Sequence, residues 1–115
     1  MIRGEVYWAD LTPRSGSEQC GKRPVLVVSH DVFNRVPAWK SIIVVPFSTS
    51  GRQAVRGPTS IFVAAGTAGL TRDSVVLCHQ VTTLDRGKLA KAIGILPAAM
   101  LAEVEAGLKV AMSLP

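Results

Sequence analysis

A small, mainly β domain carrying one packed helix is the fold class this sequence predicts, and three observations predict it. Apolar runs of strand length recur along the chain, the clearest being Val25 to Val28 and Ser41 to Phe47. Only one stretch, Pro97 to Leu114, carries a helical apolar period. The 115 residues, 48% of them hydrophobic, suffice for one core and not for two. A closed or half-closed β-barrel with a helix laid against it satisfies all three, as a single domain over residues 1–115.

In order, Glu5 to Leu11 is β-rich and roughly alternating, a half-buried first strand with Tyr7 and Trp8 on opposite faces. Thr12 to Lys22, rich in Gly, Ser and Pro, is a loop long enough to suggest function. Pro24 to Ser29 is the second strand, and His30 to Arg35 one helical turn capped by Ser29 or Asp31. Ser41 to Phe47 is a central strand whose pairing should stop near Pro46, because proline has no ladder donor. Three hydroxyls, Ser48 to Ser50, follow it, then a basic loop from Gly51 to Gly57. Pro58 to Val63 is a short strand, and Ala64 to Gly69 a small-residue loop. Ser74 to Cys78 is a buried strand that runs on through His79 and Gln80 into Val81 to Leu84. After a turn at Asp85 to Gly87, Lys88 to Leu96 is read as a last strand. The helix places Pro97, Leu101, Val104, Leu108 and Ala111 on one stripe.

Composition excludes several classes. No apolar run approaches the roughly 20 residues of a membrane span. The N-terminus lacks an apolar signal core, which predicts a cytoplasmic protein. Cys20 and Cys78 have no metal-ligand spacing and read as reduced thiols, while His30 and His79 stand apart from any carboxylate cluster. There is no GxSxG elbow, P-loop or dinucleotide fingerprint, so neither metal nor cofactor is expected. Aromatic residues are 5% of the chain, too few for a many-ringed base-stacking platform.

Charge is informative by position. Residues 11–60 hold seven basic side chains against Glu18 and Asp31, a net of +5, which is the charge of the whole chain. A basic half beside a neutral half is the footprint of a phosphate-rich partner. Within the basic half, Gly16 to Ser29 joins a turn-rich loop to a buried strand. Pro24 restrains Arg23 to extended geometry at that junction, close in sequence to Glu18 and Gln19. A guanidinium held this way suits a phosphate, although a surface ion pair with Glu18 or Asp10 would use the same residues.

Arginine, hydroxyls and one carboxylate suit transesterification at phosphorus, in which RNA supplies its own 2′-OH nucleophile. Arg23 would stabilise charge on the phosphorane oxygens and is too weak an acid to act as a base (pKa above about 12). Ser48 or Thr49 would hydrogen-bond a phosphate oxygen, and Glu18 is the carboxylate available to the 2′-OH.

The blocks RGEVYWADLTP at 3–13, GSEQCGKRPVLVVS at 16–29, VVPFSTS at 44–50, DSVVLCHQVTTLD at 73–85 and the C-terminal helix resemble the MazF/PemK toxins in order and over nearly the whole chain. The resemblance implies an SH3-like β-barrel of the MazF/PemK/CcdB kind and the toxin of a type II toxin–antitoxin system. Such a toxin is a homodimeric, metal-independent endoribonuclease (an mRNA interferase) that cuts single-stranded RNA sequence-specifically to 2′,3′-cyclic phosphate and 5′-hydroxyl ends. It implies catalytic roles for Arg23, Glu18 and Ser48, the last where the family usually has threonine, with Thr49 an alternative hydroxyl. Arg14, Ser17, Gln19, Lys22, Arg52, Arg56, His79 and Gln80 are the implied RNA contacts. His79 and Thr82 depart from the family, replacing a carboxylate and a basic side chain. The implied partners are RNA, a second copy joined through apolar strands and the helix stripe, and an antitoxin with an acidic, flexible tail covering Arg23 and the 51–57 loop. Two other readings remain: a non-catalytic toxin of this fold that binds DNA gyrase, and a simple RNA-binding module.

Overall fold

A computed structural model describes residues 1–11, 21–49 and 57–115. Its elements are β1 (Glu5–Asp10), β2 (Lys22–Val27), α1 (Asp31–Asn34), β3 (Ser41–Ser48), β4 (Ser60–Val63), β5 (Ser74–Leu77), β6 (Thr82–Asp85), β7 (Leu89–Ile95) and α2 (Ala98–Met112). The described strands pair antiparallel in the order β4-β5-β3-β2-β1-β7, and β6 pairs β3. β4 and β7 are the ends of that path, so the sheet curls without closing.

Alternation along the central strands feeds two apolar clusters. Val6, Leu26, Val45 and Phe47 join α2 in one; Ala9, Val25, Val27, Ile42 and Val44 form the other with Leu84 and Leu89. Tyr7 packs against the second cluster while Trp8 stays 41% exposed, as their opposite faces require.

β3 is longer than its proline predicted. Pro46 pairs Val25, and the strand continues through Phe47↔Val76 and Ser48↔Val75. The proline is tolerated because the partner on its other side changes there. β6 pairs Ser41–Val44 and β5 pairs Phe47–Ser48, leaving positions 45 and 46 opposite no strand on that side. The sequence run 74–84 is correspondingly two strands. A 3-10 turn at Cys78–Gln80 separates β5 from β6 along β3. Pro58 lies in another 3-10 turn, Gly57–Thr59, so β4 starts two residues later than the sequence suggested.

α1 is capped by His30, whose Nδ1 accepts from Val32 N–H at 3.0 Å. Ser29, one of the two expected caps, is occupied with buried Asn34. α2 begins after Pro97 and buries Val104 and Leu108 against the 3-10 turns and β4. That stripe serves the protomer's own core, which removes it as the expected dimer surface. Arg3 ties the helix down, donating to Glu105 Oε2 at 2.7 Å and to Val28 O at 2.9 Å.

Candidate anion-binding cleft

β2 starts earlier than the sequence suggested and takes Lys22, Arg23 and Pro24 into the β1 ladder, as Asp10↔Lys22, Ala9↔Arg23 and Trp8↔Pro24. Arg23 is therefore fixed along its backbone by a strand partner as well as by the following proline. Its half-buried side chain opens on a cleft of about 260 Å³ at this end of the sheet. Lys22, Arg23 and Pro24 form one wall with Trp8 and Ile93; Thr49 stands at the end of β3; Gly69 to Arg72 and Ser74 complete it. Three cationic side chains line the cleft and no carboxylate does, among the described residues.

The two hydroxyl candidates are placed differently. Thr49 is exposed and lines the cleft. Ser48 is 2% exposed and is not part of the lining. The β2–β3 ladder ends at Val25↔Pro46, and Ser48 pairs Val75 of β5. His79 and Gln80 lie in the 3-10 turn beyond β5 and do not line the cleft; His79 Nδ1 is 3.3 Å from Thr59 Oγ1. Arg14, Ser17, Glu18 and Gln19, and also Arg52 and Arg56, lie outside the described residues.

Sequence reasoning missed Arg72 and Trp8 as lining. The signal for Arg72 was local: a basic residue two positions before a buried strand, one residue upstream of the matched DSVVL block. The alternation set Trp8 and Tyr7 on opposite faces without saying which is exposed, and it did not place Trp8 on the cleft with Lys22. Trp8 and Lys22 also line an adjoining cleft of about 370 Å³ with Asp10 and Lys88, so the groove continues past β1.

Cys78 is buried between β5 and α2, which pushes its thiol up to about 11 and leaves it protonated and unreactive at neutral pH. No described helix is long and apolar enough to cross a membrane. Among the described residues no three His, Cys, Asp or Glu side chains gather as a metal site.

A small antiparallel β protein whose cleft gathers three cationic side chains beside a strand-end hydroxyl suits an anionic chain. Its family is specific: residues 2–112 match the model of the PemK-like, MazF-like toxins of type II toxin–antitoxin systems, and the chain belongs to that family. It is 38% identical over 112 residues to Endoribonuclease EndoA of Bacillus subtilis, covering 97% of this chain and 94% of that one. Endoribonuclease MazF6 of Mycobacterium tuberculosis is 37% identical over 109 residues, 95% of this chain and 94% of its own. The fold superposes on MazF of Deinococcus radiodurans with a TM-score of 0.81 at 29% identity, over 99% of this chain and 97% of that one. A mycobacterial endoribonuclease solved with its cognate antitoxin gives 0.76 at 28% identity, over 100% and 97%.

Proposed function

We propose that this protein is the endoribonuclease toxin of a toxin–antitoxin pair, acting in the cytoplasm on single-stranded RNA. The observation that carries the proposal is the cleft in which Lys22, Arg23 and Arg72 converge with Thr49 and no carboxylate among the described residues. The family membership, and relatives named as endoribonucleases, support the same reading.

The RNA lies along the cleft with its scissile phosphate against Arg23. Glu18 takes the proton of the ribose 2′-OH, which attacks phosphorus. Arg23 stabilises the charge that grows on the non-bridging oxygens and gives the departing 5′-oxygen a proton, which it recovers from solvent as Glu18 releases its own, giving 2′,3′-cyclic phosphate and 5′-hydroxyl ends. Thr49 hydrogen-bonds a phosphate oxygen. Ser48 is the alternative hydroxyl at the same strand end. Lys22, His79 and Gln80 contact flanking nucleotides, as do Arg14, Ser17, Gln19, Arg52 and Arg56. The step uses the substrate's own hydroxyl and needs no metal or cofactor. The active form is a homodimer, silenced in its own cell by an antitoxin whose acidic segment occupies the cationic cleft.

Incubation with a long single-stranded RNA in EDTA tests this. Discrete fragments with 5′-hydroxyl ends are expected. Retention of intact RNA would favour a binding module, and inhibition of DNA gyrase without RNA cleavage would favour the gyrase-directed reading; either result overturns the proposal.

A further inference from the structure

Between β2 and β3 the chain exposes four large apolar side chains: Val32 at 63%, Phe33 at 40%, Val36 at 47% and Trp39 at 46%. Phe33 and Trp39 pack on each other, with ring centroids 4.9 Å apart and planes at 36°, and both rings still reach solvent. The backbone beneath them is pinned. Val36 N–H donates to Phe33 O at 3.2 Å, and Trp39 N–H to Val36 O at 2.9 Å. Arg86, in the turn after β6, then clamps the segment from one side. Its Nε donates to Trp39 O at 2.9 Å, and its Nη2 donates to the carbonyls of Val36, Asn34 and Phe33 at 3.0, 3.1 and 3.3 Å. Its backbone N–H donates to Lys40 O at 2.7 Å. A ligand taken by these rings therefore has little chain to order.

The charge interleaved with the rings is positive. Arg35 and Lys40 are exposed, and the Arg35 side chain, at 71%, meets Asp31 only at 3.9 Å. Asp31 itself accepts from Arg3 N–H at 2.7 Å and from Asn34 Nδ2 at 3.1 Å. Exposed rings alternating with cations are what a single nucleic-acid strand uses, its bases on the rings and its phosphates along the cations. A second copy suits the patch less well, since a two-fold axis there would set Arg35 and Lys40 against their own counterparts. The rings lie beyond the C-terminal end of β2, and the cleft lies at its N-terminal end. The six residues of β2 span about 20 Å, which about six stacked nucleotides cover.

We infer that Phe33 and Trp39 form a second RNA contact, a stacking site for bases of the strand about six nucleotides from the scissile phosphate. This rests on the ribonuclease reading above. Stacking so far from the reacting atoms is the same in the ground and transition states. Its loss therefore raises KM and spares kcat.

The test measures binding by anisotropy to a mixed-sequence 2′-O-methyl RNA of about twelve nucleotides, long enough to span both contacts and lacking the attacking hydroxyl. Trp39→Leu keeps the site apolar but removes the ring face, and should weaken binding about tenfold. The slope of log K against log salt should not change, because no phosphate contact is lost. Trp39→Phe, which keeps a ring, should bind within about threefold of the parent. An abasic oligonucleotide of the same length should bind the parent and Trp39→Leu alike. In cleavage of unmodified RNA, Trp39→Leu should raise KM about tenfold with kcat within about threefold of the parent. Parental affinity in Trp39→Leu overturns the inference and leaves the rings to a protein partner. An equal loss on the abasic strand overturns it too, since the contact would not be to bases. A parent that binds the 2′-O-methyl RNA but cuts no RNA defeats the ribonuclease reading alone, and the Trp39 affinities still decide the stacking site.

Discussion

Asp73 Oδ1 and the Ala65 backbone N–H are joined by a 2.9 Å hydrogen bond across the turn that leads into β5. The bond closes the 65–73 loop and keeps a carboxylate off the cleft face where Arg72 stands. Asp73→Asn retains an acceptor and should unfold within about 0.5 kcal/mol of the parent. Asp73→Ala leaves the N–H to water and should cost about 1 kcal/mol, since the site is exposed. Urea unfolding of the two variants checks this; equal midpoints would remove the bond from the loop's support.

Arg23 sits in the β1–β2 ladder with its side chain in the cleft and its neighbours Val25 to Val27 in the core. Arg23→Ala should therefore keep the parental thermal midpoint to within a few degrees and lose RNA cleavage by about a thousandfold, the scale of one lost oxyanion-stabilising group. Arg23→Lys keeps the charge without the planar fork and should recover only part of the rate. Full activity in Arg23→Ala would take the residue out of the chemistry.

Ser48 and Thr49 separate by their surroundings. Thr49 faces the cleft, so Thr49→Ala should chiefly raise KM. Ser48 is buried at the end of β3 and outside the cleft lining, so Ser48→Ala should chiefly lower kcat by leaving that strand end less well ordered, about tenfold or more. Ser48→Thr, which restores a hydroxyl, should recover most of the loss. Steady-state kinetics of the three variants decides between the roles; identical profiles for the two alanine variants would merge them.

The strands, the single amphipathic helix and the Arg23 junction were legible because period and proline chemistry are local. What was not legible depended on partners far along the chain. Pro46 looked like a strand end, yet it is harmless because β6 stops at Val44 and β5 begins at Phe47. His79 and Gln80 looked like mid-strand residues, yet that same change of partner makes them a 3-10 turn. Arg72 became a site residue only when the 68–69 turn landed on β7, a contact made by two glycines 25 residues apart. The apolar helix stripe suited both packing on the barrel and a dimer surface; Cys78, Val63 and Leu70 of the same chain cluster with its Val104 and Leu108, so for these two residues the first use holds.

Asp31 links the N-terminus to α1. Its Oδ1 accepts from Arg3 N–H at 2.7 Å and from Asn34 Nδ2 at 3.1 Å, and these bonds hold its carboxyl below the ordinary range. A folded-state pKa below the unfolded value means the stabilisation is present above about pH 4 and is lost as pH falls through the lowered folded value. Asp31→Asn removes that titration. Its stability should fall less steeply than the parent's between neutral pH and about pH 3, measured by urea midpoints at several pH values. Parallel curves would show that Asp31 contributes nothing to the acid limb.

Gly107 allows α2 to lie against the sulfur of Cys78. A Cβ there would come 2.7 Å from Cys78 Sγ and 3.3 Å from Pro58 O. Helix propensity alone favours alanine over glycine by about 1 kcal/mol. The clash opposes it: Cys78 is fully buried, with its Sγ 3.7 Å from Val104 O, so the sulfur has little room to move aside. Overpacking of this kind costs about 1–3 kcal/mol, and Gly107→Ala should come out net destabilising by about 1 kcal/mol. Cys78→Ala removes the sulfur and should cost about 1–2 kcal/mol by itself through the cavity it leaves. The double variant should be more stable than the sum of the two predicts, because the new methyl fills the space the sulfur vacates. A double-mutant cycle should thus give a favourable coupling above about 0.5 kcal/mol, the limit of ordinary additivity. Simple additivity would mean that helix and sulfur are not in the contact described, and that α2 is held by Val104 and Leu108 without Gly107.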